Sequence, residues 1–376
     1  MTILPPLRLK PPVPEWDRTG PVPQAVMEFI LNAGVQAPSG ENLQPWLFRQ
    51  DKDQVELYPN IHTDPSFFNF GQRATLISTG SVLENMVVAA STFGLTTSVQ
   101  ADFSEGGKKN IASLRFFLGE NSPDPLAQVI WQRETNRRLF DKRPLAPNTT
   151  EILSKTAAER GARLHVITDR AEIEAMAEAV YWADRVRLTL RECHEPLVHA
   201  IRKNRSEALA RRDGFTFKNL RAGIDGRLFL TLTRPWWIMQ WANRVRLSNK
   251  VAAVGREGVA TSSAVSLLTM PGDRDHDYFS GGQALERVWL TATAQGLALQ
   301  PIASVVFFWL VWRSVGETPF PRSSRPHLHR AMNLVLSLFP QIDFNREGLV
   351  LLFRLGTAAP MEEGTCRFPL AHFLQK

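Results

Sequence analysis

Hydrophobic and polar positions recur along the chain with two different periods, which predict a mixture of helices and strands. Apolar residues at helical spacing predict helices near 23–36, 72–93, 123–135, 149–160, 171–191 and 281–295. Short apolar runs predict strands near 54–58, 111–118, 163–167, 263–269 and 349–355. Helices and strands that are interspersed in this way indicate an α+β fold.

Two of the predicted helices belong to an internal repeat. The stretch GSVLENMVVAASTFGLTTSVQ (80–100) matches GQALERVWLTATAQGLALQPIA (282–303) at an offset of 202 positions. A glycine, Gly94 or Gly296, stands where each helix would end, and an apolar strand follows it. Two unrelated amphipathic helices with glycine stops would be the simpler explanation. The constant offset instead favours two related α+β halves.

The repeat also divides the chain. We predict a first half over residues 1–122 and a second half over residues 123–376. Residues from about 196 to 260 have no counterpart in the first half and are interpreted as an insertion.

Composition narrows the class of protein. The 376 residues are 44% hydrophobic, which is ordinary for a packed soluble chain. Cys193 and Cys366 are the two cysteines, which excludes a disulfide framework and favours a reducing compartment, hence the cytoplasm. The proline-rich start, MTILPPLRLKPPVPEW, has no long apolar core and does not resemble a signal peptide. No metal-ligand spacing of histidine, cysteine or acidic residues stands out, so no metal site is predicted.

One uncharged segment raises the alternative of a membrane span. Residues 288–312 hold no Asp, Glu, Lys or Arg over 25 positions, which is long enough to cross a bilayer. The segment also contains Gln295, Gly296, Gln300 and Pro301. The repeat explains its first part as the end of a helix and a strand, and we therefore favour a soluble interpretation.

The net charge of +7 is concentrated in one region. Residues 185–250 contain 15 Lys or Arg and 5 Asp or Glu. This basic block suits an anionic partner, a membrane surface or a solvated helical face. Nucleic acid is disfavoured, because no zinc-finger spacing or aromatic-basic strand motif is present. Within residues 200–250, three tryptophans stand beside arginines in a pattern typical of an interfacial helix, although a packed lid helix would also explain them: Trp236, Trp237, Trp241, Arg234, Arg244 and Arg246.

The stretch NAGVQAPSGENLQPWLFRQ (32–50) is unusual for a simple turn. Pro38 breaks a helix, Ser39 and Gly40 make a turn, and two polar residues, Asn42 and Gln44, follow. A turn needs the proline and the glycine. It does not need Asn, Gln and Trp at fixed steps after them.

The stretch WQRETNRRLF (131–140) suggests an anion site. Arg133 and Arg137 are four positions apart, so on the predicted helix they share a face, with Thr135 beside them. Two guanidinium groups and a hydroxyl suit a phosphate, because the arginine fork matches phosphate oxygens. A surface cluster in which Glu134 is a partial counter-ion is the alternative.

Together these stretches resemble motifs of the FMN-dependent nitroreductase family. APSGENLQPW resembles its APSxxNxQPW signature, RETNRR its phosphate-binding Arg-x-Ser/Thr-x-Arg/Lys motif, and GLALQPIAS its GLxxxPIEG stretch beside flavin N5. The order of the motifs is similar to the Acg-like branch, in which one chain carries two nitroreductase-like halves and imitates the usual homodimer. The resemblance implies a nitroreductase-like fold, a pseudo-dimer within a chain that can be monomeric, and bound FMN.

The resemblance also implies which residues contact FMN. From the first half, the residues at the flavin would be Pro38, Ser39, Gly40 and Asn42, with Gln44 supporting the loop and Trp46 packed beneath it. From the second half, those at the phosphate would be Arg133, Thr135 and Arg137, with Arg367 of GTCRFPL and, less directly, Arg354 of FRLG. The residues beside flavin N5 would be Pro301, Ala303 and Ser304.

Two departures from the family pattern affect the expected activity. The family's Glu-Gly after Pro-Ile is Ala303-Ser304 here, so a carboxylate is missing. The insertion would form a lid over the flavin.

The first half lacks an Arg-x-Ser/Thr-x-Arg motif and the second lacks an APSxxN loop, so one FMN site per chain is expected.

The function implied is an FMN-binding oxidoreductase that passes electrons from a reduced nicotinamide, NADH or NADPH, or another donor to a conjugated small-molecule acceptor. The alternative is a flavin-binding protein that stores or sequesters FMN without turnover. No acid–base residue is nominated, because the flavin itself performs the chemistry.

Overall fold

The computed structural model describes residues 10–104, 111–119 and 122–375. The first nine residues of the proline-rich N-terminal stretch lie outside them. The first half contains an antiparallel sheet in the order β1-β2-β4-β3. Its elements are α1 (Gln24–Val35), β1 (Trp46–Asp51), β2 (Gln54–Pro59), α2 (Arg73–Ser91), β3 (Leu95–Ala101) and β4 (Ala112–Leu118).

The second half begins with a helix, a strand and two further helices. These are α3 (Thr149–Ala158), β5 (Arg163–Ile167), α4 (Arg170–Arg187) and α5 (Arg191–Ala200). The predicted insertion then folds into a parallel pair of two-residue strands and four helices. They are β6 (Ile201–Arg202), α6 (Arg205–Arg211), β7 (Phe215–Thr216), α7 (Ile224–Leu232), α8 (Trp236–Arg244) and α9 (Ser248–Ala260).

The remaining elements complete the second sheet. They are β8 (Ala264–Met270), α10 (Asp275–Ala294), β9 (Ala298–Ile302), α11 (Ala303–Val315), α12 (Arg325–Leu338) and β10 (Gly348–Gly356). This sheet is antiparallel in the order β5-β8-β10-β9, and both β8 and β10 are buried along their full length. Burial on both faces explains why these two strands are continuous apolar runs rather than alternating ones.

The two long helices of the repeat pack against each other at their glycines. A Cβ atom at Gly80 in α2 would lie 1.9 Å from the carbonyl oxygen of Phe279, and one at Gly282 in α10 would lie 2.0 Å from that of Ile77. Phe279 is 202 positions after Ile77, and Gly282 is 202 positions after Gly80. The contact is therefore reciprocal, as in an isologous interface. The largest hydrophobic core accordingly includes residues of both halves.

Replacing Gly80 or Gly282 with alanine should destabilise the protein by about 1–3 kcal/mol, because the added methyl group meets backbone that cannot rotate away. Gly226 in α7 is the matched control, since the atom nearest to an added Cβ there is 3.4 Å away. Gly226→Ala should be neutral or stabilising by up to about 1 kcal/mol, the usual helix preference for alanine. Urea unfolding of the three variants checks this, and equal midpoints would contradict the close crossing.

The predicted helix near 123–135 is wrong. Pro125–Gln128 forms one short 3-10 helix, and the chain beyond it turns and becomes extended. Thr135 forms a parallel bridge with Leu299 of β9, and the amide of Asn136 donates to the Leu299 carbonyl at 2.9 Å. Pairing with the edge of the second sheet thus overrides the local helical pattern. Arg133 and Arg137 consequently do not share a helix face.

The other predicted elements are present with small shifts in their ends, except that α10 begins at Asp275 rather than near 281. The strands expected after Gly94 and Gly296 are β3 and β9. The pattern missed β1, α5, α11 and α12, and it gave no bounds for the elements of the insertion. Residues 288–312 comprise the end of α10, β9 and the start of α11. In the part of the chain that the structure describes, no helix is long and apolar enough to cross a membrane.

Candidate functional site

The APSGENLQPW loop connects α1 to β1 in a strained but well-bonded conformation. Glu41, Asn42 and Gln44 have positive φ angles of 44°, 57° and 57°. The Gln44 amide N–H donates to Ser39 Oγ at 2.9 Å, and the Gln44 side chain donates to the Asn42 carbonyl at 3.1 Å. These bonds offset the cost of the left-handed residues. Gln44 therefore supports the loop through these hydrogen bonds, and Trp46 is fully buried beneath it.

Arg367, in the C-terminal tail, holds this loop from the other side. Its guanidinium donates to the carbonyls of Val35 and Ala37, both at 3.0 Å, and to Asn42 Oδ1 at 2.5 Å. The carbonyls at the end of a helix have no partner within the helix. Arg367 satisfies those at the end of α1 and fixes the direction in which the loop leaves it.

Arg133 is a buried ion-pair partner. Its Nε lies 2.9 Å from Glu286 Oε1, and its Nη2 donates to the Gln36 carbonyl at 2.7 Å. The guanidinium also lies over the Trp289 ring, 4.6 Å from the centroid. Glu286 and Trp289 are on α10, so Arg133 joins that helix to the end of α1.

Arg137 has a different environment, inside a cleft. Its Nη1 donates to the Asn219 carbonyl at 3.2 Å, and its guanidinium lies 5.5 Å from the centroid of Phe215. Burial lowers the pKa of Arg137 to about 10, and the charge of Glu41 only partly opposes this. Burial and the charge of Asp64 raise the pKa of Glu41 to about 7, against the opposite effect of Arg187 and Arg137. Burial thus disfavours the charge of both groups in the free cleft, and a bound anion would offset this for Arg137.

The cleft, of about 540 Å³ including space open to solvent, brings together much of the predicted site. The predicted residues that line it are Pro38, Ser39, Asn42, Arg133, Thr135, Arg137 and Arg367. Gly40 and Gln44 belong to the same loop but are not part of the lining. Both halves of the sequence thus contribute to one cleft. Arg137 lies about 100 residues after the loop, and Arg367 lies about 330 residues after it.

Arg354 lies outside this lining. It is buried in β10, where it donates to Gln300 Oε1 at 2.7 Å and to the carbonyls of Gly258 and Arg138 at 2.8 and 2.6 Å. Its guanidinium lies 3.8 Å from the centroid of Phe140. Burial lowers the pKa of Arg354 to about 9, and the positive charges of Arg221 and Arg137 add to the effect. Its hydrogen bonds join β10 to the chain on either side.

The three residues predicted beside flavin N5 lie at the junction of β9 and α11. Pro301 pairs with Phe353 of β10, and Ala303 and Ser304 are the first residues of α11. Backbone N–H groups in the first turn of a helix have no partner within it and suit electron-rich ligand atoms. The backbone N–H groups of Ala303 and Ser304 can therefore donate hydrogen bonds whatever side chains these residues carry.

Charged side chains of α4 lie beside the start of α11. Ser304 Oγ donates to Asp184 Oδ1 at 3.4 Å, and Asp184 Oδ1 also accepts a hydrogen bond from Arg187 Nε at 3.1 Å. The charge of Arg187 in turn lowers the pKa of Glu41. Burial raises the pKa of Asp184, while Arg187 and the Ser304 hydroxyl lower it.

Sequence reasoning missed several residues of this region. Glu41 could have been found, because it stands inside the APSGENLQPW stretch. Asp184 and Arg187, three apart on α4, have the spacing of an ordinary helical ion pair and gave no signal. Phe215 and Asn219 belong to the insertion. Its position beside the cleft is set by tertiary packing, which the sequence pattern does not indicate.

The insertion closes one side of the cleft. The Asn42 side chain donates to the Gly214 carbonyl at 3.2 Å, and the Gln44 side chain donates to the Arg212 carbonyl at 3.0 Å. Gly214 has a φ of +63°, and a Cβ atom there would lie 2.0 Å from the Ala200 carbonyl oxygen. Only glycine fits this close approach, which sets the course of the chain over the loop.

Comparison with curated proteins finds relatives in Mycobacterium tuberculosis. An uncharacterized protein is 29% identical over 353 residues, which cover 90% of this chain. The chain spans 46% of the length of that relative. A second relative, whose name describes it provisionally as an NAD(P)H nitroreductase, is 27% identical over 288 residues, covering 73% of this chain and 74% of the relative. No protein-family model matches the chain.

Among solved structures, the chain is similar in part to FMN-dependent nitroreductases. NfnB from Mycobacterium smegmatis, in complex with NADPH, is 15% identical with a TM-score of 0.39 and covers 67% of this chain and 97% of that one. NfnB from Sphigopyxis, described as FMN- and NADPH-dependent, is 15% identical with a TM-score of 0.40 and covers 67% of this chain and 99% of that one.

Proposed function

We propose that this chain binds FMN and acts as an oxidoreductase of nitroreductase type, with reduced nicotinamide as electron donor and a conjugated small molecule as acceptor. The observation that carries the proposal is the cleft, where the loop at residues 38–42 meets Thr135, Arg137 and Arg367. The ordered motifs and the similarity to a relative named as an NAD(P)H nitroreductase support it.

The residues present fit FMN. Arg137 is a partly buried cation whose depressed pKa an anion would reverse, so with Thr135 it would hold the phosphate. The Ala303 and Ser304 N–H groups would donate to the electron-rich edge of the flavin ring. When bound, FMN supplies two-electron and one-electron transfer, which no side chain of this site can provide. The chain's own residues bind it, orient it and exclude water.

Arg133 and Arg367 are assigned a supporting role in this proposal. Arg133 pairs with Glu286, and Arg367 is bonded to the carbonyls at the end of α1. Both therefore hold the loop and the second-half segment at the separation that the cofactor requires. Hydrogen bonds and ion pairs of this kind keep the binding groups in place before the ligand arrives.

We further propose that the chain is an Acg-like pseudo-dimer with one FMN site and can act as a monomer. The reciprocal contact of Gly80 and Gly282 supports this, as does the equivalent strand order of the two sheets. The first half has no counterpart of the phosphate motif, and the second half has no counterpart of the polar loop. The boundary between residues 122 and 123 stays a prediction, as does a cytoplasmic location.

The segment at residues 200–250 is proposed as a lid over the flavin. Its inner part, residues 212–219, already bonds to Asn42, Gln44 and Arg137 through backbone carbonyls. These contacts also support the alternative function, a protein that sequesters FMN, because a covered flavin is less accessible to NADPH.

Two measurements test the proposal. The purified protein should release one FMN per chain on heating, and a stoichiometry of two, or release of FAD, would overturn the one-site assignment. Anaerobic mixing of the same protein with NADH or NADPH should then bleach the oxidised flavin absorbance. Bound FMN that neither nucleotide reduces would overturn the nicotinamide-dependent oxidoreductase and favour the storage protein instead.

A further inference from the structure

Two consecutive helices of the insertion carry apolar stripes that face away from the protein. Ile224, Leu228 and Leu232 repeat every four residues along α7, and their side chains are 86%, 57% and 56% exposed. Trp237 and Trp241 repeat in the same way along α8, at 70% and 57% exposure. Large apolar side chains exposed to this extent and grouped on one surface are uncommon unless they contact something.

The opposite faces of the same helices are anchored to the body of the protein. Phe229, Trp236 and Met239 pack in a cluster with Leu188 and Ala252. The Asn243 side chain donates to the Leu188 carbonyl at 2.7 Å, and the Arg234 carbonyl bonds with His194 Nε2 at 3.2 Å. The helices are thus held with the apolar stripes outward, so the exposed residues are not an unfolded part of the core.

The charge around the stripes is strongly positive. Between positions 221 and 250 the sequence has one acidic residue, Asp225. The basic residues in the same interval are Arg221, Arg227, Arg234, Arg244, Arg246 and Lys250. Among the residues that the structure describes, no carboxylate lies within ion-pair distance of Arg234, Arg244 or Arg246. Within the described residues, no carboxylate therefore neutralises their positive charge by direct pairing.

We propose that α7 and α8 form a docking surface for the anionic face of a lipid bilayer. Helices that lie in the membrane interface combine tryptophan and leucine on one face with arginine and lysine at its border. Tryptophan rings in particular favour the headgroup level, and basic residues are attracted to anionic lipid. Each helix has nine residues, too short to cross a bilayer but long enough to lie on it.

The charge complementarity selects a membrane over a second copy of the chain. Two copies meeting at this surface would oppose two sets of arginines, and like charges across an interface disfavour association. An anionic bilayer supplies both the apolar layer for the stripes and the negative charge for their border. The proposal uses no residue of the cleft and is independent of the proposed flavin chemistry.

The experiment is co-sedimentation of the full chain with vesicles of two compositions. Vesicles of phosphatidylcholine with about one third phosphatidylglycerol should bind the protein, and pure phosphatidylcholine should bind it far less. Raising the salt to about 0.5 M should weaken binding, because surface charge is then screened. The double variant Trp237→Ser, Trp241→Ser should lower the partition coefficient at least about tenfold.

Matched variants separate the two contributions. Phe117→Ser with Leu118→Ser removes two apolar residues of 41% and 46% exposure from β4 and should leave partitioning unchanged. Arg234→Gln, Arg244→Gln and Arg246→Gln together should weaken binding to anionic vesicles only. Binding to neither vesicle, or equal binding by wild type and the tryptophan variant, would overturn the proposal. Light scattering that shows a dimer lost in the tryptophan variant, without lipid binding, would assign the surface to a second copy instead.

Discussion

Replacing Arg133 with alanine should destabilise the folded protein by about 3–5 kcal/mol, because it breaks a buried ion pair by removing the cation that faces the Glu286 carboxylate. Arg133 and Glu286 are both almost inaccessible, at 2% and 0% side-chain exposure. The variant also loses the bond to the Gln36 carbonyl and the contact with Trp289. Any loss of FMN binding in this variant would follow from the weakened fold rather than from the loss of a direct contact.

The repeat supports this structural role. Glu84 is the residue that matches Glu286 at the offset of 202, and it too is fully buried. Glu84 is paired with Arg160 at 2.8 Å and with Arg287 at 2.9 Å. Each long helix therefore buries one glutamate and requires an arginine to compensate it.

Urea unfolding of Arg133→Ala, with Arg143→Ala as control, measures the effect. Arg143 is 77% exposed and pairs with Asp141, so its loss should change stability by less than about 1 kcal/mol. Adding Glu286→Gln to Arg133→Ala should recover part of the stability, because the unpaired charge is removed. A single variant as stable as the wild type would show that Glu286 is compensated by other groups.

The sequence predicted most of the regular structure because its signals are local. The helix from Arg73 to Ser91 shows helical spacing of apolar residues, and the strands β8 and β10 are continuous apolar runs; both patterns depend only on burial. The long helix α10 begins earlier than predicted because its first turn is polar, and the Asp277 carboxylate there accepts a hydrogen bond from the Arg274 backbone N–H at 2.9 Å. α11 was missed because the uncharged run at residues 288–312 joins a helix end, a strand and a new helix without punctuation.

The site was predicted less completely because much of its geometry is not local. The motif at residues 131–140 has helical spacing, yet pairing with Leu299 of β9 extends it. That pairing places Arg133 against α10 and Arg137 in the cleft. Asp184 and Asn219 reach the same region only through tertiary packing. The spacing of these residues along the sequence does not indicate their tertiary contacts.

Replacing Arg137 with alanine should weaken FMN binding about ten- to hundredfold, corresponding to a charge-assisted hydrogen bond of about 1.5–3 kcal/mol. The motif alone predicts the same loss of FMN affinity for Arg133 and Arg137. Their environments in the structure predict different effects, because Arg133 is paired with Glu286 and Arg137 lines the cleft. Burial lowers the pKa of Arg137, so its charge is disfavoured in the folded protein until an anion is bound. The variant should therefore fold with nearly unchanged stability.

Titration of the FMN-free protein with FMN, followed by quenching of flavin fluorescence, measures the affinity. Arg138→Ala is the control at the adjacent position, because Arg138 donates to the Pro360 carbonyl at 3.1 Å and is not part of the cleft lining. Arg137→Lys should give an intermediate affinity, since it keeps the charge but loses the planar fork that matches phosphate oxygens. If folded Arg137→Ala bound FMN as tightly as Arg138→Ala, the phosphate would have to be held elsewhere. Arg354, whose pKa burial also lowers, would then be the next residue to replace.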